Sequence, residues 1–288
     1  MRVLVTGALG FIGKAVCASL EKRGHEVVRL DVWAEASSGG IVADITKGLK
    51  KLPDVDAVVH LAAMAAPREC DANPTRAFDV NVNGTLQVLK AALEAGAKKA
   101  VFASSAHVYG VGPRYLPTDE THPLSLGNTY TTTKILGEQL CELYHENHGL
   151  SYTTLRLFNV YGPGQGRGYF IPDQIGKANA GGFVLRGSDV TKDWVYIDDV
   201  ALAFALAVES PFVGAINIGT GIETGLGSIG KRIAAAYQAE VILATEPHPT
   251  RMCADISRAK RVLGWSPTVG IGEGVDAIIG SRTAASIR

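Results

Sequence analysis

The sequence predicts an α/β protein built on a doubly wound parallel sheet, with a smaller, discontinuous second lobe drawn from the C-terminal part of the chain. Three observations carry this. Short, nearly continuously apolar runs alternate with longer segments of helical period, the pattern of strands covered by helices on both faces. The first run, RVLVTG, feeds directly into a turn with Gly7, Gly10 and Gly13. Beyond Val160 the regular alternation stops and Gly, Pro and turn residues become frequent. A chain of 288 residues, 47% hydrophobic and 19% charged, can bury such a core, and that composition excludes disordered, collagen-like and coiled-coil proteins.

The elements follow in order. After the strand RVLVTG comes the helical segment FIGKAVCASLEKRG, then the strands EVVRLD and DAVVHLAA, the helix NVNGTLQVLKAALEAG and the strand KAVFASS. A helix from about Tyr130 to Asn147 is ended by His148-Gly149, and SYTTLRLFNV returns as a strand. YGPGQGRGYFIPDQ and ANAGGFVLRGSDVTK open the second lobe, and DWVYIDDVALAFALAVES reads as a strand, turn and helix that go back to the first. The expected division is therefore 1–160 plus about 191–213 for the first lobe, and about 161–190 plus 214–288 for the second. In such a sheet ligands sit at the carboxyl ends of the strands.

Composition narrows the function. Lys plus Arg equals Asp plus Glu at 28 each, and the isoelectric point is near 7.1, so no general field attracts nucleic acid or an anionic membrane. Cys17, Cys70, Cys141 and Cys253 lie far apart without a C-x-x-C pair, which argues against a disulfide framework and against a metal site. No charged and apolar leader precedes Val3, and no run reaches the roughly 18 apolar residues of a membrane span. A reducing, cytoplasmic setting is expected.

Gly7-Ala8-Leu9-Gly10-Phe11-Ile12-Gly13 lies between a strand and a helix, the context that gives a G-x-x-G-x-x-G pattern meaning. Gly7 permits the turn, Gly10 lets the backbone approach a pyrophosphate, and Gly13 lets helix and strand pack closely, while free N–H groups and the helix dipole attract the phosphates. This is the Rossmann arrangement. Asp31 ends the second strand near the roughly 20-residue offset at which a carboxylate accepts the adenosine ribose hydroxyls. Val32 and Trp33 follow it and offer no guanidinium to a 2′-phosphate, so NAD is expected over NADP; the alternative use of such an Asp is as a cap.

Ser105 ends KAVFASS, and Tyr130 and Lys134 of YTTTK stand four residues apart on one helix face. To these are added TGALGFIG, HLAA at His60 to Ala63, NVNGT at Asn81 to Thr85 and SSAHVYG at Ser104 to Gly110. RLFNVYGPGQ at Arg156 to Gln165, DWVYIDDVA at Asp193 to Ala201 and LGWSP at Leu263 to Pro267 complete the set. On these motifs essentially the whole chain resembles the extended short-chain dehydrogenase/reductase family, and within it the NAD-dependent sugar epimerase/dehydratase group.

The resemblance implies roles. Tyr130 is the base for a sugar hydroxyl, Lys134 lowers the phenol's pKa and binds the nicotinamide ribose, and Ser105 holds the same hydroxyl. Gly7, Gly10, Phe11, Ile12, Gly13 and Asp31 bind the cofactor, with Asp44 and Ile45 at the adenine and Leu61, Ala62 and Ala63 beneath it. Asn81 serves either the cofactor or a buried turn. Phe158 lies near the nicotinamide, Asn159 meets a nucleotide sugar, and Arg186 and Arg251 are candidates for its diphosphate, although surface arginines are common. Two departures weaken the diphosphate reading: Lys192 stands where relatives often have Arg, and PTRMCAD precedes Asp255 without the Arg-Pro-Gly-Asp segment of many relatives. Relatives pair through two helices, here Leu86 to Ala95 and Ile135 to Tyr144, which implies a homodimer, although those apolar positions serve a monomer core equally well.

The reaction follows from what is missing beside Ser105. Dehydratases and decarboxylases of the group carry an acid there, whereas this chain has Ala106 and His107. Reversible oxidation at one sugar carbon is thereby favoured, giving a nucleotide-sugar 4-epimerase as the leading expectation. An NAD-dependent sugar or uronate dehydrogenase, or keto-sugar reductase, is the alternative; a dehydratase ranks lower, and a non-catalytic NAD-binding regulator is the non-enzyme reading, opposed by the intact Ser105, Tyr130 and Lys134. His107 is either a second acid/base or a polar lining residue.

Overall fold

The computed structural model describes residues 1–33, 40–49 and 52–286, the last five by their backbone. The first half runs β1 (Arg2–Thr6), α1 (Phe11–Lys22), β2 (Glu26–Asp31), β3 (Ile41–Val42), β4 (Ala57–His60), α2 (Pro67–Ala72), α3 (Pro74–Phe78), α4 (Gly84–Glu94), β5 (Lys99–Ser105), α5 (Thr129–His148) and β6 (Ser151–Leu157). The second half runs β7 (Asn159–Tyr161), α6 (Phe170–Asn179), β8 (Gly182–Arg186), β9 (Thr191–Tyr196), α7 (Ile197–Glu209), β10 (Gly214–Ile218), β11 (Glu223–Gly225), α8 (Leu226–Ala236), β12 (Glu240–Ala244), α9 (Ser257–Leu263) and α10 (Ile271–Ser286).

Seven strands form one parallel sheet in the order β10-β6-β5-β4-β1-β2-β3. Alternation along β1 explains its double cover: Val3 and Val5 join one buried cluster with Val16 and Leu20 of α1 and Phe204 of α7, while Leu4 joins another with Val88 and Leu89 of α4. Each such fully buried side chain contributes about 1.5–3 kcal/mol relative to exposure. α5 begins one residue before the expected helix, where the Asn128 side chain caps it by accepting the Thr131 N–H at 2.8 Å, and it ends on left-handed Gly149 at φ 68°.

The expected crossings between lobes shift in several places, among them α9, assigned to the second lobe, which packs into the cluster of β1 and α7. β9, assigned from sequence to the first lobe, lies in a three-stranded sheet in the order β11-β9-β7, and only α7 after it returns to pack against α1. Gly214–Ile218, assigned to the second lobe, is β10 and completes the seven-stranded sheet beside β6. The reason is the open edge of β6, whose N–H and C=O groups need partners. β8 and β12 form a separate pair, and residues 287–288 of the expected second lobe lie outside the described residues. Two acids of DWVYIDDVA tie the turns together. Buried Asp193 accepts the N–H groups of Thr220, Gly221 and Ala254 at 2.7–3.0 Å, and Asp199 accepts those of Thr268 and Val269 at 3.0–3.1 Å.

Candidate active site

At the carboxyl ends of β1, β2, β4 and β5 lies a cleft of about 460 Å³. The glycine turn forms its base. Gly7 has φ 68°, and a Cβ there would lie 2.8 Å from the Ala62 nitrogen; one at Gly13 would lie 2.0 Å from the Gly7 carbonyl oxygen. No side chain therefore fits either position, and the N-terminus of α1, whose Gly10 cap has no side chain to satisfy its N–H groups, stays open to an anion. Asp31 receives the Leu9 N–H on one oxygen at 2.9 Å and the Trp33 N–H on the other at 3.1 Å. That fixes the carboxylate at the end of β2. A dinucleotide is the group these residues fit: a cradle for pyrophosphate, a carboxylate for a ribose, and an apolar wall.

Of the residues expected to hold it, Gly7, Gly10, Phe11, Ile12, Gly13, Asp31, Asp44, Ile45, Leu61, Ala62, Ala63, Tyr130 and Lys134 all line this cleft. Asp44 caps a 3₁₀ turn over Ile45–Lys47, and hydrogen bonds from Thr46 hold its carboxyl below the usual range. Behind the β4 end, His60 bonds the hydroxyls of Thr6 at 2.7 Å and Thr85 at 3.0 Å, and burial, then the charge of Lys134, pulls it down to about 3. Two residues stand elsewhere. Asn81, on a π-helical turn over Asp79–Asn83, accepts the Met64 N–H at 2.8 Å and donates to the Met64 carbonyl and the Thr133 hydroxyl, both at 3.0 Å; it shapes the wall instead of lining the cleft. Phe158 is buried against Tyr109, and Leu157 lines the cleft in its stead. Met64, Arg76, Val80 and Tyr169 are among the lining residues not foreseen from sequence.

Tyr130 and Lys134 face the cleft from the first turns of α5. Burial pushes the Tyr130 phenol up to about 12, and the neighbouring Ser105 hydroxyl, hydrogen-bonded to it, works the other way. The Lys134 ammonium donates to the Ala103 carbonyl at 2.8 Å and stands 5.8 Å from the centre of the Tyr130 ring; burial pulls it down to about 8. Ser105 closes β5 and accepts the His107 N–H at 3.2 Å, so one hydroxyl caps a 3₁₀ turn over Ala106–Tyr109 and also meets the phenol. Under this corner Glu138 accepts from Ser104 at 2.6 Å and from both ends of the Arg156 guanidinium at 3.0 and 2.7 Å. Arg156 reaches on to the Tyr109 hydroxyl, which bonds Asn217 of β10 at 2.6 Å.

The substrate-side candidates divide. His107 packs edge-on against Tyr130 with ring centres 6.1 Å apart, and burial, then Lys192, lowers its pKa. Asn159 opens β7 and Arg186 ends β8 as an exposed residue; neither is in the cleft lining. Arg251 is exposed and tied to Glu223, whose oxygens lie 2.8 and 2.5 Å from it. Among the described residues no group of three or more His, Cys, Asp or Glu side chains is placed to hold a metal, and no helix is long and apolar enough to cross a membrane.

Fold and site together define an α/β enzyme with a dinucleotide cleft. Residues 3–219 match the model of the NAD dependent epimerase/dehydratase family. The chain is 34% identical to a putative UDP-glucose 4-epimerase of Methanocaldococcus jannaschii over 96% of its own length and 97% of that protein's. It is 30% identical to UDP-glucuronic acid decarboxylase 6 of Arabidopsis thaliana, covering 96% and 87%. Its structure is similar to UDP-glucose 4-epimerases of Thermotoga maritima with UDP-glucose (TM-score 0.88, 27% identity, 100% of both chains) and Thermus thermophilus with NAD (0.83, 29%, 98% and 100%). This chain belongs to the NAD-dependent epimerase/dehydratase family, and its cofactor is NAD.

Proposed function

We propose that the chain is a nucleotide-sugar 4-epimerase in which Tyr130, Lys134 and Ser105 act on one sugar hydroxyl. The observation that carries it is the Ser105-Tyr130-Lys134 corner, with Tyr130 and Lys134 in the cleft lining, Ser105 beside the phenol, and Ala106 and His107, not a carboxylate, next along the chain. When bound, the nicotinamide supplies a hydride acceptor and a positive charge. Tyr130 takes the hydroxyl proton as the carbon is oxidised, Ser105 holds that oxygen, and Tyr130 returns the proton when the turned keto sugar is reduced on its other face. Lys134 favours the phenolate through its charge. The nearby acids do not supply dehydration chemistry: Glu138 is taken by Arg156, and Glu120 accepts the Asn217 N–H and stands 3.4 Å from Arg258.

The relatives named UDP-glucose 4-epimerase support a nucleotide diphosphate sugar as substrate. A cytoplasmic setting and a homodimer through α4 and α5 belong to the same proposal; Leu143, 49% exposed on α5, is an apolar contact such pairing would cover. Asn159, Arg186 and Arg251 then act from the second lobe. The test is an NMR-read panel of nucleotide sugars, with an ultraviolet spectrum for retained NAD. Interconversion of 4-epimers without net NADH is the expected result, and NADH accumulating with an oxidised sugar would replace this reading by the dehydrogenase one.

A further inference from the structure

The outer end of the cleft carries a cation that the glycine turn and its strand-end acid do not account for. Arg76 stands on α3, yet its side chain lines the cleft with Trp33, Asp44 and Ile45. Its guanidinium is set between two carboxylates, 3.7 Å from Asp44 and 3.3 Å from Asp79. Asp44 is itself fixed, because its other oxygen accepts the Thr46 N–H and hydroxyl at 2.9 and 2.8 Å. Such half-exposed ion pairs add little to folding. What they decide is where a planar guanidinium stands and how much charge it shows. A guanidinium stacks on a base face, which a compact, strongly hydrated ammonium does poorly. Ile45 and Val80 add apolar surface at the same end. With Asp44 and Asp79 both beside it, the positive charge that the arginine shows is offset.

We propose that Arg76 covers the adenine ring of the cofactor, held there by Asp44 and Asp79, which also cancel the charge it would otherwise offer a 2′-phosphate. The proposal rests on the NAD reading of the cleft. Calorimetric titration of the full chain, its bound nucleotide exchanged out, with NAD, NADP and nicotinamide mononucleotide tests it on the wild type, Arg76→Ala, Arg76→Lys and Asp79→Asn. Losing a stacking face should weaken NAD and NADP in Arg76→Ala by a common factor of about five to thirty, while the mononucleotide, which has no adenine, changes less than about twofold. Arg76→Lys should recover little of that loss. Asp79→Asn should narrow the preference for NAD over NADP by about threefold. A loss confined to NADP, no loss at all, an equal loss for the mononucleotide, or an unmoved preference in Asp79→Asn overturns the proposal. A wild-type chain that binds neither dinucleotide overturns the NAD reading instead.

Discussion

The Tyr130 phenol starts from a poor position for a base, since burial above all pushes it up to about 12. The Ser105 hydroxyl works against that rise, and positive charge beside the ring works the same way; Lys134, 5.8 Å from the ring centre, is this chain's own source of such charge. Tyr130→Phe should leave the fold and NAD affinity in place and lower turnover by about 10² to 10⁴. Lys134→Met should weaken NAD binding and turnover together. Near-normal turnover of Tyr130→Phe on the true substrate would refute the base. His107 is a different case. Burial and Lys192 both disfavour its imidazolium, so it takes up a proton only below the usual histidine range of about 6.5. That direction favours the neutral ring, and His107→Ala should weaken substrate binding while turnover keeps its pH profile between about 6.5 and 9. A limb lost from that profile would instead make His107 a second acid/base. That Tyr130 and Lys134 share one face of α5 and that Ser105 ends β5 was legible, because helical spacing and a strand end are set locally; the roles given to them came from the family resemblance. Arg76 and Tyr169 were not legible, because α3 and the start of α6 reach the cleft by tertiary packing alone.

Among the elements, the turn from β1 into α1 was the most legible, since steric exclusion leaves little choice of residue. An alanine at position 13 would put its Cβ 2.0 Å from a backbone oxygen, and backbone yields less readily than a side-chain tip. Gly13→Ala should cost about 1–3 kcal/mol of stability, read as a lower midpoint in denaturant, and should reduce NAD affinity more than tenfold, or about 1.4 kcal/mol. Retained affinity would show that the turn relaxes freely. The π-helical turn at Asp79–Asn83 gave no such sign. Its segment NVNGT reads as plain helix, and what widens it is visible only in space: the Asn81 amide is pulled to Met64 and Thr133. Which of Leu157 and Phe158 lines the cleft was illegible for a related reason. A period-two strand pattern puts Leu157 and Phe158 on opposite sides, and nothing in the sequence says which side holds the cleft.

For the whole molecule, the doubly wound sheet followed from the alternation of apolar runs and helices, but its last strand did not. GAINI stands among turn-rich neighbours and after a long excursion through the second lobe, so local pattern assigned it to that lobe; the unpaired edge of β6 claims it instead. That late arrival has a consequence for synthesis. Every other strand of the large sheet has left the ribosome once Leu157 has, yet β6 must wait for Gly214–Ile218 with its outer backbone groups bare. During that interval the growing chain offers a ready template to any passing strand, the hazard of slow, non-local sheets. Nascent chains stalled just short of Gly214 should be cut readily by protease and should bind chaperones, and those stalled well past Ile218 should resist. Equal resistance at both lengths would mean that the second lobe shields the edge until its partner strand is made.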